Sequence, residues 1–390
     1  MNPRHLRVAD VFRAGWEAYD RQQRLAPHQR KAVRHILACR TAALGGHLYR
    51  CDRCGKELPV YNSCQTRHCP TCQTSAKEKW LAGRRTEVLP VRYFHSVFTL
   101  PHELNGLVDA NRRRLLGELF SSAAWVLERF AADPRWRLEG QIGFLAVLHT
   151  WTQRLQEHFH LHCIVPGGVW QPEQGRWVHC RGPWLFRKDS LAQAFRNRFL
   201  KRLATLRAAG QLQFTAAAAP LAEPSCWRRL LDTLAQRDWI VYPKPAEGGS
   251  EQVLDYLGRY THKVAISDHR LRTLSAEHVT YAWRDRADGN RQKTDTLSIP
   301  EFIHRFLYHI LPDGFQKIRY YGWLASANKK TALPAIRAAL AVPPPAPPSS
   351  ESLPERILRL TGVDIHRCPF CGQGRLSKTL IRILPVRGPP

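Results

Sequence analysis

Apolar side chains recur at helical spacing from the start of the chain: Val8, Val11, Phe12, Trp16 and Tyr19, then Ala32, Val33, Ile36 and Leu37. Residues 1 to about 45 therefore read as a helical lead-in. The pattern breaks between Cys39 and Cys72, where apolar content drops and Cys and His crowd together. Beyond it, residues 92–101 (RYFHSVFTLP) are aromatic and β-branched and end on proline, the mark of a buried strand. A helix is expected from about Asn105 to Ala132, with Leu107, Leu115, Leu119, Phe120 and Val126 on its inner face. Strands follow at 142–151 and at 158–168, the second closed by Pro-Gly-Gly. Helices are expected at 190–209 and 226–237, a short strand at 239–245, a helix at 251–263, and hairpin-like strands at 265–275 and 279–283. Irregular alternation of this kind suits an α+β domain. The stretch AVPPPAPPSSES, residues 341–352, is a stiff, solvated linker that sets off a tail.

Charge narrows the choice of partner. Of 390 residues 59 are Lys or Arg and 32 Asp or Glu, a formal charge of +27. Forty-six of the basic residues are Arg, whose planar fork matches phosphate oxygens at two points where Lys offers one. With 44% hydrophobic residues and 12 Trp the chain can build real cores, so a basic disordered tail is excluded and a nucleic acid is the expected partner. The N-terminus lacks the apolar region of a secretory signal and no segment reaches the length of a membrane span. A soluble, cytoplasmic and nucleoid-associated protein without membrane contact is the expectation.

In a reducing compartment the eleven cysteines point to metal rather than cystine. Cys51-x-x-Cys54 and Cys69-x-x-Cys72 are two knuckles, expected to give four thiolates to one tetrahedral zinc. Their flanking residues (Asp52, Arg53, Gly55, Pro70, Thr71, Gln73) are too polar for a small thiol core. Cys39, His47, Cys64 and His68 could hold a second ion or could be packing residues. Cys368-Pro-Phe-Cys371 in the tail is half a knuckle. His160 and His162 alternate with Leu161, so on a strand both imidazoles share one face and could chelate an ion; paired strand histidines are also common as structural residues. His158 extends the same face and could be a third ligand or the solvent end of the strand. Tyr256 and Tyr260, four apart, would stack on one helix face, amid the positive charge of Arg259, His262 and Lys263, where a core stripe would carry leucines.

Together these features resemble the two-tyrosine, rolling-circle transposases of the HUH endonuclease superfamily. The resemblance runs through RHCPTCQ (67–73), FTLPHEL (98–104), LHTW (148–151), HLHCIVPGG (160–168), YLGRYTHKVAIS (256–267) and IRYYGWLA (318–325), in order over residues 20–335. Where the last phrase usually carries His, this chain has Tyr320.

The resemblance implies an HUH-type nuclease core, a central antiparallel sheet flanked by helices, behind an N-terminal zinc-binding domain. It implies that His160 and His162, with a third ligand for which His149 and His158 are the candidates, hold Mg²⁺ or Mn²⁺ acting as a Lewis acid on the scissile phosphate, and that Tyr256 or Tyr260 attacks single-stranded DNA to leave a 5′-phosphotyrosine. A phenol ionises near pH ~10, so Arg259 and Lys263 would stabilise the developing oxyanion. DNA ends or hairpins at element ends are the implied partners, and no ATP is required, in keeping with the lack of a Gly-Lys-Ser/Thr phosphate loop. The chain would divide into a zinc-binding region (1–90), a catalytic domain (91–335), a Pro-rich linker (336–352) and a tail (353–390). A replication initiator with the same nuclease centre, and a zinc-dependent DNA-binding protein without catalysis, are the alternatives.

Overall fold

The structure, a computed structural model, describes residues 5–246, 252–253, 258, 261, 264–345 and 351–383. In chain order the strands are β1 (Gly46–Cys51), β2 (Glu57–Tyr61), β3 (Tyr93–Thr99), β4 (Gly143–Trp151), β5 (Glu157–Pro166) and β6 (Gly168–Gln171). They continue with β7 (Arg176–His179), β8 (Val241–Pro245), β9 (Leu271–Leu274), β10 (His278–Asp285), β11 (Arg291–Ser298), β12 (Ile318–Gly322) and β13 (Leu376–Ile383). The chain is α+β, and it divides into two compact units that are not continuous in sequence.

The first unit comprises Met1–Ala76, Ile266–Ile310 and Pro347–Pro390. Helix Val8–Gln22 packs through Phe12 on Phe306 of helix Ile299–Tyr308, ring centroids 5.3 Å apart. The Tyr19 hydroxyl meets His304 Nδ1 at 3.1 Å. Two three-stranded antiparallel sheets complete the unit, one in the order β13-β1-β2 and the other β11-β10-β9. The expected separation of the tail does not occur. Strand β13 pairs with β1, so the chain beyond the proline-rich stretch is built into the unit that holds the N-terminal cysteines.

The second unit comprises Lys77–Ala265 and Leu311–Ala346. Its centre is an antiparallel five-stranded sheet in the order β12-β4-β5-β3-β8. The edge strand β8 carries Pro243 and Pro245, which lack ladder donors and are tolerated where one side has no neighbour. One face is covered by helices Arg112–Ala132 and Lys188–Ala208, with Phe98 against Phe195 at 5.2 Å. The expected single helix over 105–132 is broken at Asn111, whose buried side-chain amide donates to the carbonyls of Leu107 and Gln213 and whose Oδ1 accepts from Gln213 N–H. An Asn that satisfies neighbouring backbone groups competes with the helix ladder.

Candidate functional site

The opposite face of the five-stranded sheet carries the histidines. His160 and His162 stand on β5, the middle strand, and register pairs His149 of β4 directly with His160. The β4–β5 ladder slips between His149 and Trp151, a bulge of the kind that re-aims side chains beside active sites. One ring nitrogen from each of His149, His160 and His162 lies within 4.8 Å of the others, and all three residues are buried. Of the two candidates for a third ligand, the structure brings in His149. His158 lies beside His160, ring centroids 4.7 Å apart, outside the group of three, and burial lowers its pKa.

Hydrogen bonds orient two of the rings. His160 Nδ1 is 3.0 Å from the His158 carbonyl oxygen. A carbonyl only accepts, so the proton sits on Nδ1 and Nε2 keeps its lone pair. His162 Nδ1 meets Nε2 of His95 at 2.7 Å, the two rings nearly parallel. His95, on β3, was not singled out by its sequence context, since a lone His in an apolar strand reads as core. The donor set is three imidazoles with no carboxylate, which suits a first-row transition ion better than Mg²⁺, the more strictly oxygen-preferring ion.

The same sheet face holds a cluster of Tyr93, Leu145, Val147, Ile164 and Val253, with Ile318 and Tyr320 beside it. Arg84 Nη1 donates to the Tyr320 hydroxyl at 2.8 Å. Tyr256, Tyr260, Arg259 and Lys263 lie outside the described residues. Their neighbour in sequence, Val253, belongs to the cluster on the histidine face.

The first unit holds two four-cysteine groups, and they differ from the expected set. Cys39, Cys64, Cys69 and Cys72 form one; Cys51, Cys54, Cys368 and Cys371 form the other. The two N-terminal knuckles do not share an ion site. The hairpin of β1 and β2 explains why: Gly46 pairs with Tyr61 at its open end, next to Arg40 and Asn62, which bond to each other, while Cys51 sits at the turn end. Five residues of strand put about 17 Å between those ends. His47 and His68 belong to neither group. The sulfurs of Cys39 and Cys72 are 3.5 Å apart and those of Cys64 and Cys72 3.6 Å. That is close to the ~3.8 Å edge of a tetrahedron with Zn–S bonds of about 2.3 Å and far longer than a disulfide. Hydrogen bonds from Cys39, Cys64 and Cys69 pull the Cys72 thiol well below its ordinary range.

Comparison with known proteins places this geometry. Residues 143–332 match a family described as "Putative transposase", and residues 11–100 match the "Transposase zinc-binding domain". The chain is 44% identical over 387 residues to "Putative transposase y4qJ" of Sinorhizobium fredii (strain NBRC 101917 / NGR234), covering 98% of this chain and 97% of that one. The chain belongs to the two-tyrosine insertion-sequence transposases. It is also 30% identical over 364 residues to "Transposase for insertion sequence element IS801" of Pseudomonas savastanoi pv. phaseolicola, with 92% of this chain and 85% of the relative covered. No solved structure matches it. The transposase thus carries the family's zinc-binding domain in the segment that supplies six of the eight clustered cysteines. Among the described residues no helix is long and apolar enough to cross a membrane.

Proposed function

We propose that this transposase nicks and rejoins single-stranded DNA ends through a 5′-phosphotyrosine, with Tyr256 and Tyr260 as nucleophiles and His149, His160 and His162 as the ligands of a divalent ion. The observation that carries the reading is the convergence of three buried imidazoles at the middle of a rigid sheet, where simple packing would favour apolar residues. A bound divalent ion there supplies Lewis-acid polarisation of a phosphate oxygen. The chain's own residues do the rest. A tyrosine oxygen forms a bond to phosphorus, the bond to the 3′-oxygen breaks, the phenolic proton passes to solvent and the 3′-oxygen is protonated as it leaves. Val253 lies on the histidine face, and positions 256 and 260, three and seven residues on, would share its stripe on a helix. Arg259 and Lys263 would oppose the charge that develops on the phenol. DNA hairpins at element ends are the proposed substrate, consistent with a charge of +27.

The test is incubation with Mn²⁺ and single-stranded oligonucleotides of element ends, followed by denaturing electrophoresis. A covalent protein–DNA adduct is expected, abolished by Tyr256→Phe with Tyr260→Phe and reduced about 100-fold or more by His160→Ala. Cleavage that survives the double Phe variant would reject the nucleophile assignment.

A further inference from the structure

The tail contributes half of a metal site. We infer that Cys51, Cys54, Cys368 and Cys371 bind a second zinc ion, which clasps the tail to the N-terminal hairpin. Cys368 and Cys371 lie outside the segment that matches the zinc-binding domain, residues 11–100, so this site is additional to any held within that segment.

Distance comes first. Cys51 and Cys371 sulfurs are 3.8 Å apart and Cys54 and Cys368 sulfurs 3.7 Å, across 314 residues for the latter pair. These are the ~3.8 Å edges of a zinc tetrathiolate, and they join the two halves crosswise.

The backbone gives an independent reason. Each half is Cys-x-x-Cys-Gly, and in each the glycine has a left-handed backbone, φ 68° at Gly55 and 66° at Gly372. In each the glycine N–H donates to the first cysteine's carbonyl, at 3.1 Å to Cys51 and 3.0 Å to Cys368. Backbone N–H groups also point at sulfur: Cys54 N to Cys51 Sγ at 3.5 Å and Gly374 N to Cys371 Sγ at 3.3 Å. Donors of this kind stabilise a thiolate. Two segments far apart in sequence thus fold into the same knuckle and face each other.

The surroundings are shaped to the site. A side chain at Gly374 would meet Cys51 Sγ at 2.3 Å and Asp52 Oδ1 at 2.8 Å, so only a bare backbone fits there. Asp52 Oδ1 accepts from Arg375 N–H at 2.8 Å, and Asp52 N–H donates to the Arg375 carbonyl at 3.1 Å. From there β13 runs along β1, Leu376 opposite Cys51. Among the described side chains Tyr49, Leu58 and Leu376 pack against the sulfurs, and an ion held there takes the part of a core.

The experiment counts zinc on the purified full chain by atomic spectrometry and maps thiol reactivity by alkylation and mass spectrometry. Two ions per chain are expected, falling to one in Cys368→Ser with Cys371→Ser. Because that variant could misfold, the wild-type protein carries a second readout. Cys54 is exposed to solvent, so access does not limit its alkylation and the change on adding a chelator reads ligation. Ligation predicts that Cys54 and Cys371 react at least ~10-fold more slowly than Cys180 until a chelator is added. One zinc per wild-type chain, two in the double variant, or prompt alkylation of Cys54 would each overturn the inference. None of these readouts depends on DNA cleavage, so the clasp and the strand-breaking reading stand or fall separately.

Discussion

At the residue scale, His95 sets the behaviour of His162. Ligation of a metal through Nε2 of His162 requires the proton on Nδ1, and His95 Nε2, 2.7 Å away, is placed to accept it. Partners of this kind typically hold 10- to 100-fold of metal affinity. His95→Leu should therefore weaken Mn²⁺ binding by roughly 10-fold or more, read by electron paramagnetic resonance without DNA. His95→Gln, whose amide can still accept, should recover much of the loss; equal weakening in both would make His95 a packing residue only. On the other face, burial raises the Asp109 carboxyl to about 7, with Glu157 adding to the rise and Arg112 opposing it. The unfolded chain releases that proton near pH ~4. The protonated form is thus favoured by folding, and the stability it contributes is full below about pH 4 and lost as pH climbs to about 7. Asp109→Asn should shrink the difference in thermal midpoint between pH 4.5 and 7.5, and an unchanged difference would discount the group.

His160 and His162 were legible because strand periodicity alone puts them on one face. The regrouping of the cysteines was not, because pairing knuckles by closeness in sequence ignores the length of the hairpin between them. His47 and His68 looked like ligands for the same reason, by proximity to cysteines rather than by direction.

At the scale of elements, the buried strands β3, β4 and β5 read clearly from their apolar runs, and their register then fixes which histidines meet. Strands β1, β2, β11 and β13 did not. The pattern of β11, RQKTDTLS, is mostly exposed and polar, and the side chains of β1 and β2 are mostly half-buried or exposed. The break at Asn111 was hidden because the apolar residues on either side of it fit one continuous helix. Asn111→Ala removes the partner of the Gln213 N–H and of two carbonyls. It should cost about 1–3 kcal/mol in urea denaturation. Gly374→Ala should lower zinc content by one ion while leaving the Cys39 group filled, since its clash is with Cys51 alone among the cysteines; full retention would show that the ribbon can shift to accept a side chain.

At the scale of the whole molecule, the order of segments along the chain is not the order of units. A linear division into zinc-binding region, catalytic domain, linker and tail follows composition, which marks the prolines at 343–348 and the cysteine-rich stretch. It cannot reveal that residues 266–310 and the tail join the N-terminal 76 residues. The reason is physical: helix Ile299–Tyr308 finds its apolar partner in helix Val8–Gln22, β10 and β11 pack on that same helix Ile299–Tyr308, and long-range packing leaves no local signature. Removal of the chain after Ala346 should therefore lower the thermal midpoint of the first unit as well as its zinc content, whereas a detached tail would leave both unchanged.

Ribosomes make Cys51 and Cys54 more than three hundred residues before Cys368 and Cys371. For most of translation the early pair has no mate, and a message cut short or frameshifted within the later coding region yields a protein with an open, half-liganded knuckle. Completion of the clasp thus reports that the reading frame has been followed past its proline-rich stretch, and only such copies have the stiffened ribbon.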